Sequence, residues 1–110
     1  MKSRTKHLWQ RITRGWDDSE TWSLDYTTSK WILPRIKRLK EINFGHPSSL
    51  GSTEEWNEVL DKMILAFNIN LEQWDDDENF PANLRDPILR RKTMQEGLDL
   101  FAKYYNDLWW

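Results

Sequence analysis

The sequence predicts an all-α fold, a small bundle of three main helices with a short helix at the N-terminus. The chain contains a single valine, and its apolar residues recur at steps of three and four instead of alternating. Its 110 residues leave little room for a second hydrophobic core. We therefore expect one helical domain over residues 1–110.

The first predicted helix covers residues 5–14 and lies within a basic N-terminal arm, residues 1–15. Leu8, Trp9 and Ile12 occupy its apolar positions, and Gly15 is placed to end it. The next helix is predicted to start from a cap at Asp17 or Asp18.

The second helix carries an apolar face at helical spacing, formed by Trp22, Tyr26, Ser29, Leu33 and Ile36. Pro34 removes a backbone donor within this pattern. The sequence therefore predicts either a kinked helix through residue 41 or two segments that meet at residues 32–33.

The third and fourth helices have clear start signals. Ser52 and Glu55 have the spacing of a capping box, while Asp86 and Pro87 suit the cap and first position of the last helix. The apolar stripe of the third helix is Trp56, Val59, Leu60, Met63, Ile64 and Phe67, with an end predicted near 68–70. The stripe of the fourth is Ile88, Arg91, Met94, Leu98, Phe101, Tyr105 and Leu108.

An acidic loop is predicted over residues 72–87. It contains four adjacent acids at 75–78 and two prolines, and a loop of this length is either functional or mobile. The ligand spacing and central glycine of a calcium loop are absent from it. We interpret the acids as a charged rim for a partner, not as a metal site.

Asp25 and Arg90 are the buried polar candidates. Both project onto the apolar faces of their predicted helices, where a charged group requires a partner. A structural ion pair between them is the preferred interpretation, and a ligand-facing carboxylate at Asp25 is the alternative.

Composition excludes several classes of function. The chain has no cysteine, which excludes disulfides, thiolate metal sites and a cysteine nucleophile. It has no phosphate loop, nucleophile elbow or zinc spacing, so we expect no catalytic residue, metal or cofactor. No apolar run is long enough to span a bilayer and no secretory signal is present, so we expect no membrane partner and an intracellular location.

Charge is strongly segregated along the chain. Residues 1–40 contain ten Lys/Arg and four Asp/Glu, whereas residues 41–80 contain one and ten. Such asymmetry indicates either a surface that steers partners or basic and acidic segments that pack together within the fold. The acidic isoelectric point, about 5.7, argues against duplex DNA as a partner.

Eight tryptophans are more than a three-helix core of this size encloses. Trp22 and Trp56 are predicted in the core, Trp31 on the outer face of the second helix, and five in short or terminal segments. This distribution favours a surface for a partner or for self-association over a catalytic pocket. The candidate binding residues are Trp31, Trp74, Asp75, Asp76, Asp77, Trp109 and Trp110.

Several motifs together resemble a family of small bacteriophage proteins without an established activity. They are Trp22-Ser23-Leu24-Asp25-Tyr26, Leu33-Pro34-Arg35, Glu55-Trp56, residues 60–64, Phe67 and residues 95–105. The resemblance covers residues 14–110. It implies a phage protein made in the host cytoplasm, and it implies no catalytic residue.

Three functions are therefore open at the level of sequence. The first is a non-enzymatic accessory protein that binds and modulates a host bacterial protein, for example a component of a host defence system. The second is a protein that sequesters a nucleotide between the basic second helix and Trp31. The third is a Mg²⁺-dependent nucleotide pyrophosphohydrolase with Glu55, Glu58 and Glu96, which the outward projection of Glu58 and Glu96 disfavours.

Overall fold

The computed structural model describes residues 2–72 and 77–109 and confirms the all-α prediction. These residues form four α-helices and no strand. The helices are α1 (Lys2–Arg14), α2 (Leu24–Ile42), α3 (Thr53–Glu72) and α4 (Pro87–Lys103). None of the helices in these residues has the length and apolarity needed to cross a bilayer.

α3 is the central helix and packs against both α2 and α4. Its two neighbours run antiparallel to it. Asn70, near the end of α3, donates a hydrogen bond to Ser29 near the start of α2 at 3.0 Å. Lys62, near the middle of α3, pairs with Glu96 of α4 at 2.8 Å. Its buried face consists of Trp56, Leu60, Met63, Ala66, Phe67 and Ile69. Helix α3 therefore contributes the largest part of the core.

The predicted caps of α3 and α4 are confirmed. The Ser52 hydroxyl accepts a hydrogen bond from the Glu55 amide at 3.2 Å. The Asp86 carboxylate accepts a hydrogen bond from the Ile88 amide at 3.0 Å. The Glu55 carboxylate accepts a hydrogen bond from the Gly51 amide at 3.0 Å. It does not bond the Ser52 amide, as a complete capping box would require.

The prediction that Asp17 or Asp18 caps the second helix is wrong. Asp17 caps a 3₁₀ turn, Asp18–Thr21, and α2 begins only at Leu24. Trp22 lies between these two elements and is 75% exposed, so its predicted place in the core is also wrong. Since the chain bends here, the helical phase that placed Trp22 on the apolar face does not apply.

From Ser29 onward the predicted apolar face of α2 is confirmed, whereas Tyr26 at its start is exposed. Ser29, Leu33 and Ile36 are buried against α3. Pro34 lies inside an uninterrupted helix on its exposed side, so the alternative of two separate segments is wrong.

Part of the predicted acidic loop is structured. α3 continues to Glu72, and the 3₁₀ turns Asp77–Asn79 and Ala82–Leu84 follow the undescribed residues 73–76. Phe80 and Leu84 are buried with Ile69 in a second, small apolar cluster. This cluster fixes the connection to the start of α4.

The first helix stands apart from the three-helix core. It ends at Gly15, whose φ of +84° favours glycine, and it contacts the turn Asp18–Thr21. Leu8, Trp9 and Ile12 on its apolar face are exposed. The radius of gyration, 16.8 Å, exceeds the roughly 13 Å of a compact domain of this length.

Candidate aromatic binding surfaces

Exposed aromatic side chains line two separate cavities at opposite ends of the bundle. One end is marked by Ser29 and Asn70, the start of α2 and the end of α3. The other is marked by Trp56 and Tyr104, whose rings meet edge to face at 5.5 Å where α3 begins and α4 ends. We describe the two surfaces in turn.

The α2 aromatic face consists of Trp22, Tyr26, Lys30 and Trp31. These side chains border an open cleft of about 540 Å³. Tyr26 and Lys30 are four residues apart on the first turns of α2, and Trp22 lies in the turn just before this helix. Trp22 also packs edge-on against His7 of α1 at 5.6 Å, which joins α1 to this face.

Cations lie over the rings of this surface. The Arg35 guanidinium is 4.1 Å from the centre of the Trp31 ring, and its Nη1 donates to the Trp31 carbonyl oxygen at 2.7 Å. Lys30 Nζ is 6.0 Å from the Tyr26 ring. Such contacts stabilise a cation over an exposed ring by about 0.5–1 kcal/mol. The face therefore combines apolar rings with positive charge.

Polar contacts hold α1 beside this face. The Asp18 carboxylate accepts hydrogen bonds from Gln10 Nε2 at 2.8 Å and from Arg14 Nη2 at 2.7 Å. It also lies 3.3 Å from Lys6 Nζ. The hydrogen bond from Gln10, followed by those from Arg14 and Lys6, holds the pKa of Asp18 far below its ordinary value. These contacts fix the orientation of α1 without burying its apolar face.

The neighbouring Asp17 is buried. Its carboxylate accepts from the Ser19 hydroxyl and amide and lies 3.2 Å from Arg11 Nε. The hydroxyl hydrogen bond is the main cause of its lowered pKa.

The second surface is a cavity of about 240 Å³, which we call the Trp56 cavity. It forms where the connection between α2 and α3 meets the chain that follows α4. Phe44 and His46 line it from the connection, Trp56 from α3, and Asp107 and Trp109 from the C-terminal segment. Phe44 is 94% exposed and Trp109 is 71% exposed, whereas Trp56 is 1% exposed.

Comparisons with protein families, with curated proteins and with solved structures found no match to this chain. Its candidate sites therefore rest on its own geometry.

The structure separates the predicted binding residues. Trp31 belongs to the α2 aromatic face and Trp109 to the Trp56 cavity, and both are exposed. Trp74, Asp75, Asp76 and Trp110 lie outside the described residues, and Asp77 begins a 3₁₀ turn.

The sequence does not predict the exposure of four aromatic residues. It places Trp22, Tyr26 and Tyr105 on apolar helix faces and Phe44 in a turn, whereas the structure exposes all four. The neighbouring Gly45 and Pro47 are a usable signal for Phe44, because a turn at the protein surface exposes its side chains.

The predicted burial of Asp25 is wrong. It lies exposed in the first turn of α2, beside an apolar groove of about 390 Å³ that includes Phe67, Met94 and Leu98. Arg90 is half-buried, its guanidinium lies 4.2 Å from the Phe80 ring and its Nη1 donates to the Leu84 carbonyl oxygen at 3.2 Å. Because α2 starts late, its first turn lies beyond the main core.

Asp61 of α3 and Glu96 of α4 each pair with a lysine of a neighbouring helix. Asp61 lies 2.6 Å from Lys40, and Glu96 lies 2.8 Å from Lys62. The hydrogen bond with Glu96 raises the pKa of Lys62. In residues 2–72 and 77–109 no three histidine or acidic side chains are grouped as a metal site requires.

Proposed function

We propose that this chain is a small interaction protein that binds an acidic surface of a partner protein through its α2 aromatic face. One observation carries the proposal: Trp22, Tyr26 and Trp31 are exposed around a single cleft instead of being buried in the core. Tryptophan, tyrosine and arginine dominate the binding energy of protein interfaces. The two aromatic residues bury a large area with few rotatable bonds, and the planar guanidinium of arginine stacks on rings and donates several hydrogen bonds.

The charge around the α2 aromatic face indicates the charge of the partner's contact surface. Helix α1 carries five lysines and arginines and no acid, and α2 adds Lys30 and Arg35. Three of the α1 cations pair with Asp17 and Asp18, and Glu20 lines the cleft, so the cations outnumber the acids around the face. Complementary charge speeds encounter and rejects like-charged proteins. We therefore propose a partner whose contact surface is acidic, with α1 bound along it.

The exposed apolar face of α1 extends this surface. Trp9 and Ile12 are 66% and 70% exposed, and α1 is held in place by Asp17 and Asp18. A helix fixed beside an aromatic cleft presents its apolar residues without the entropic loss of ordering a free segment.

The resemblance to small phage proteins supplies the proposed setting. In that setting the partner is a host bacterial protein in the host cytoplasm, and inhibition of a host defence system is the most concrete form of the proposal. The acidic segment after Glu72 starts at the same end of the bundle as the face. We propose it as the rim of the interface, where its acids would face basic residues that border the partner's acidic contact surface.

Nucleotide binding at Trp31 is less well supported. A base stacks on the open face of an aromatic ring, and here the Arg35 guanidinium lies over the Trp31 ring at 4.1 Å. The nucleotide hydrolase is also less well supported, since Glu96 is paired with Lys62 and Glu55 accepts from the Gly51 amide.

Affinity capture from a bacterial lysate tests the proposal, followed by reconstitution with the purified captured protein. We expect the wild-type chain to form a stable complex that weakens as salt is raised. Trp22→Ala together with Trp31→Ala should weaken binding by about 100-fold or more, as expected for two interface hot spots.

Ile88→Ser is the matched control, because Ile88 is 81% exposed at the start of α4 and belongs to neither surface. It should bind like the wild type. The proposal is wrong if the double variant binds as tightly as the control, or if the chain only associates with itself in light-scattering measurements. Binding of a nucleotide that is lost in Trp31→Ala would support the second function instead.

A further inference from the structure

The Trp56 cavity combines aromatic rings with one carboxylate, at a distance from the proposed partner interface. It lies at the opposite end of α3 from the α2 aromatic face. Its volume of about 240 Å³ is below the roughly 300–1,000 Å³ of pockets for drug-sized ligands. The space therefore suits the end of a single side chain or a ligand of that size.

The charge of this cavity is negative. Asp107 is half-buried in its lining, and among the described residues its carboxylate has no hydrogen bond or ion pair. The two segments that meet there, residues 43–52 and 104–109, contain no lysine, no arginine and no other acid. Lys103, just before the second segment, borders a separate groove on α4. A half-buried carboxylate without a partner favours a cation in the space that it borders.

Exposed aromatic rings border the same space. Phe44 and Trp109 are both largely exposed and come from segments far apart in sequence. An aromatic ring attracts a cation over its face, because the ring carries negative partial charge there. The rings and the carboxylate therefore favour the same class of ligand.

Elsewhere in this chain, guanidinium groups lie on aromatic rings. The Arg14 guanidinium is 3.7 Å from the centre of the Trp16 ring, and that of Arg90 is 4.2 Å from the Phe80 ring. A guanidinium is planar, so it stacks on a ring while its N–H groups donate in parallel to a carboxylate. An ammonium group lacks both the flat face and the paired donors. Guanidinium is thus the cation that uses the rings together with Asp107.

We infer that the Trp56 cavity binds a guanidinium group, carried by an arginine side chain or by a free guanidinium compound. The guanidinium donates to the Asp107 carboxylate and stacks on an exposed ring of the lining. Because no lysine or arginine lies among the described lining residues, another molecule supplies the cation.

NMR titration of the full chain with N-acetyl-arginine amide tests the inference. The titration is run at about pH 8, where histidine is ordinarily neutral, so that His46 in the lining adds no positive charge. We expect the carboxyl carbon signal of Asp107 and the ring signals of Phe44 to shift and to saturate. The corresponding citrulline amide has the same shape without the charge and should bind about tenfold more weakly. The lysine amide should bind about threefold more weakly than the arginine amide.

Two further probes identify the source of the guanidinium. A blocked glycine-arginine-glycine peptide represents an arginine of a partner protein, and propylguanidinium represents a free compound. Binding of either supports the site. The probe that binds more tightly shows whether groups next to the arginine side chain add to recognition.

Two variants on the rim of the cavity separate binding from folding. Asp107→Asn should weaken binding of the arginine amide by about tenfold or more, and Trp109→Ala by about threefold. Asp99→Asn is the matched control, because it removes an exposed carboxylate of α4 that does not line the cavity, and it should leave binding unchanged. Thermal unfolding of each variant verifies that the fold is retained.

Three results would overturn the inference. The Asp107 and Phe44 signals stay in place up to the solubility limit of the arginine amide, which would show that the cavity binds no guanidinium. The citrulline or lysine amide binds as tightly as the arginine amide, which would exclude recognition of a charged planar group. Asp107→Asn binds the arginine amide like the wild type, which would remove the carboxylate from the site.

Discussion

At Gly97 the backbone of α4 passes very close to α3. A methyl group there would lie 2.3 Å from the Lys62 carbonyl oxygen and 2.5 Å from the Ala66 side chain. Glycine in a helix normally costs about 1 kcal/mol relative to alanine. Its presence at this position therefore reflects packing between the two helices and not helix propensity.

We predict that Gly97→Ala lowers the free energy of unfolding by about 1–3 kcal/mol, because the helices must separate to admit the methyl group. Urea denaturation measures this effect. Gly45→Ala is the control, since a methyl group at Gly45 meets no atom within 4 Å. An unchanged or raised unfolding midpoint in Gly97→Ala would show that α3 and α4 lie further apart than described.

At the scale of elements, α1 depends on two carboxylates in and beside the turn Asp18–Thr21. Hydrogen bonds lower the pKa of both Asp17 and Asp18 from an ordinary value of 3.8. A carboxylate with a lowered pKa in the folded state stabilises the fold above its unfolded pKa. This contribution is lost as the pH falls through the lower, folded value.

We predict that acidification from about pH 4 downward releases α1 from the turn. The amide signals of α1 in NMR spectra should change in step with the carboxyl signal of Asp18. Asp18→Asn should reproduce part of this change at neutral pH, whereas Asp99→Asn on α4 should not. Retention of the α1 contacts in Asp18→Asn would mean that contacts such as the edge packing of His7 on Trp22 suffice.

Across the whole molecule, buried apolar surface is concentrated in α2, α3 and α4. Leu60 and Met63 on α3 are fully buried, whereas Leu8 on α1 is 53% exposed. Stability and binding thus reside in different parts of the chain. The three-helix core supports the fold, and α1 and the start of α2 present the proposed interface.

We predict that Leu60→Ala lowers the free energy of unfolding by about 2–5 kcal/mol, through lost burial and the cavity it leaves. Leu8→Ala should change it by less than about 0.5 kcal/mol. Chemical denaturation of the two variants, which remove the same atoms, makes the comparison direct. A similar loss in both would show that α1 is part of the cooperative core.

The charge segregation is only partly balanced within the molecule. Lys40 with Asp61 and Lys62 with Glu96 join neighbouring helices, and such exposed pairs contribute at most about 1 kcal/mol each. Three basic residues of α1, Lys6, Arg11 and Arg14, instead pair with Asp17 and Asp18. Helix α1 therefore does not pack along the acidic face of α3.

The sequence by itself determined the helical class, the caps at Ser52 and Asp86, the end of α1 at Gly15 and the burial of Trp56. These follow from spacing and hydrogen bonding within a few residues. Only the tertiary structure decided the exposure of Trp22 and Asp25 and the cavity that joins Phe44 to Trp109. The physical reason is that helical periodicity fixes direction within one helix, whereas bends and chain crossings fix which faces are covered.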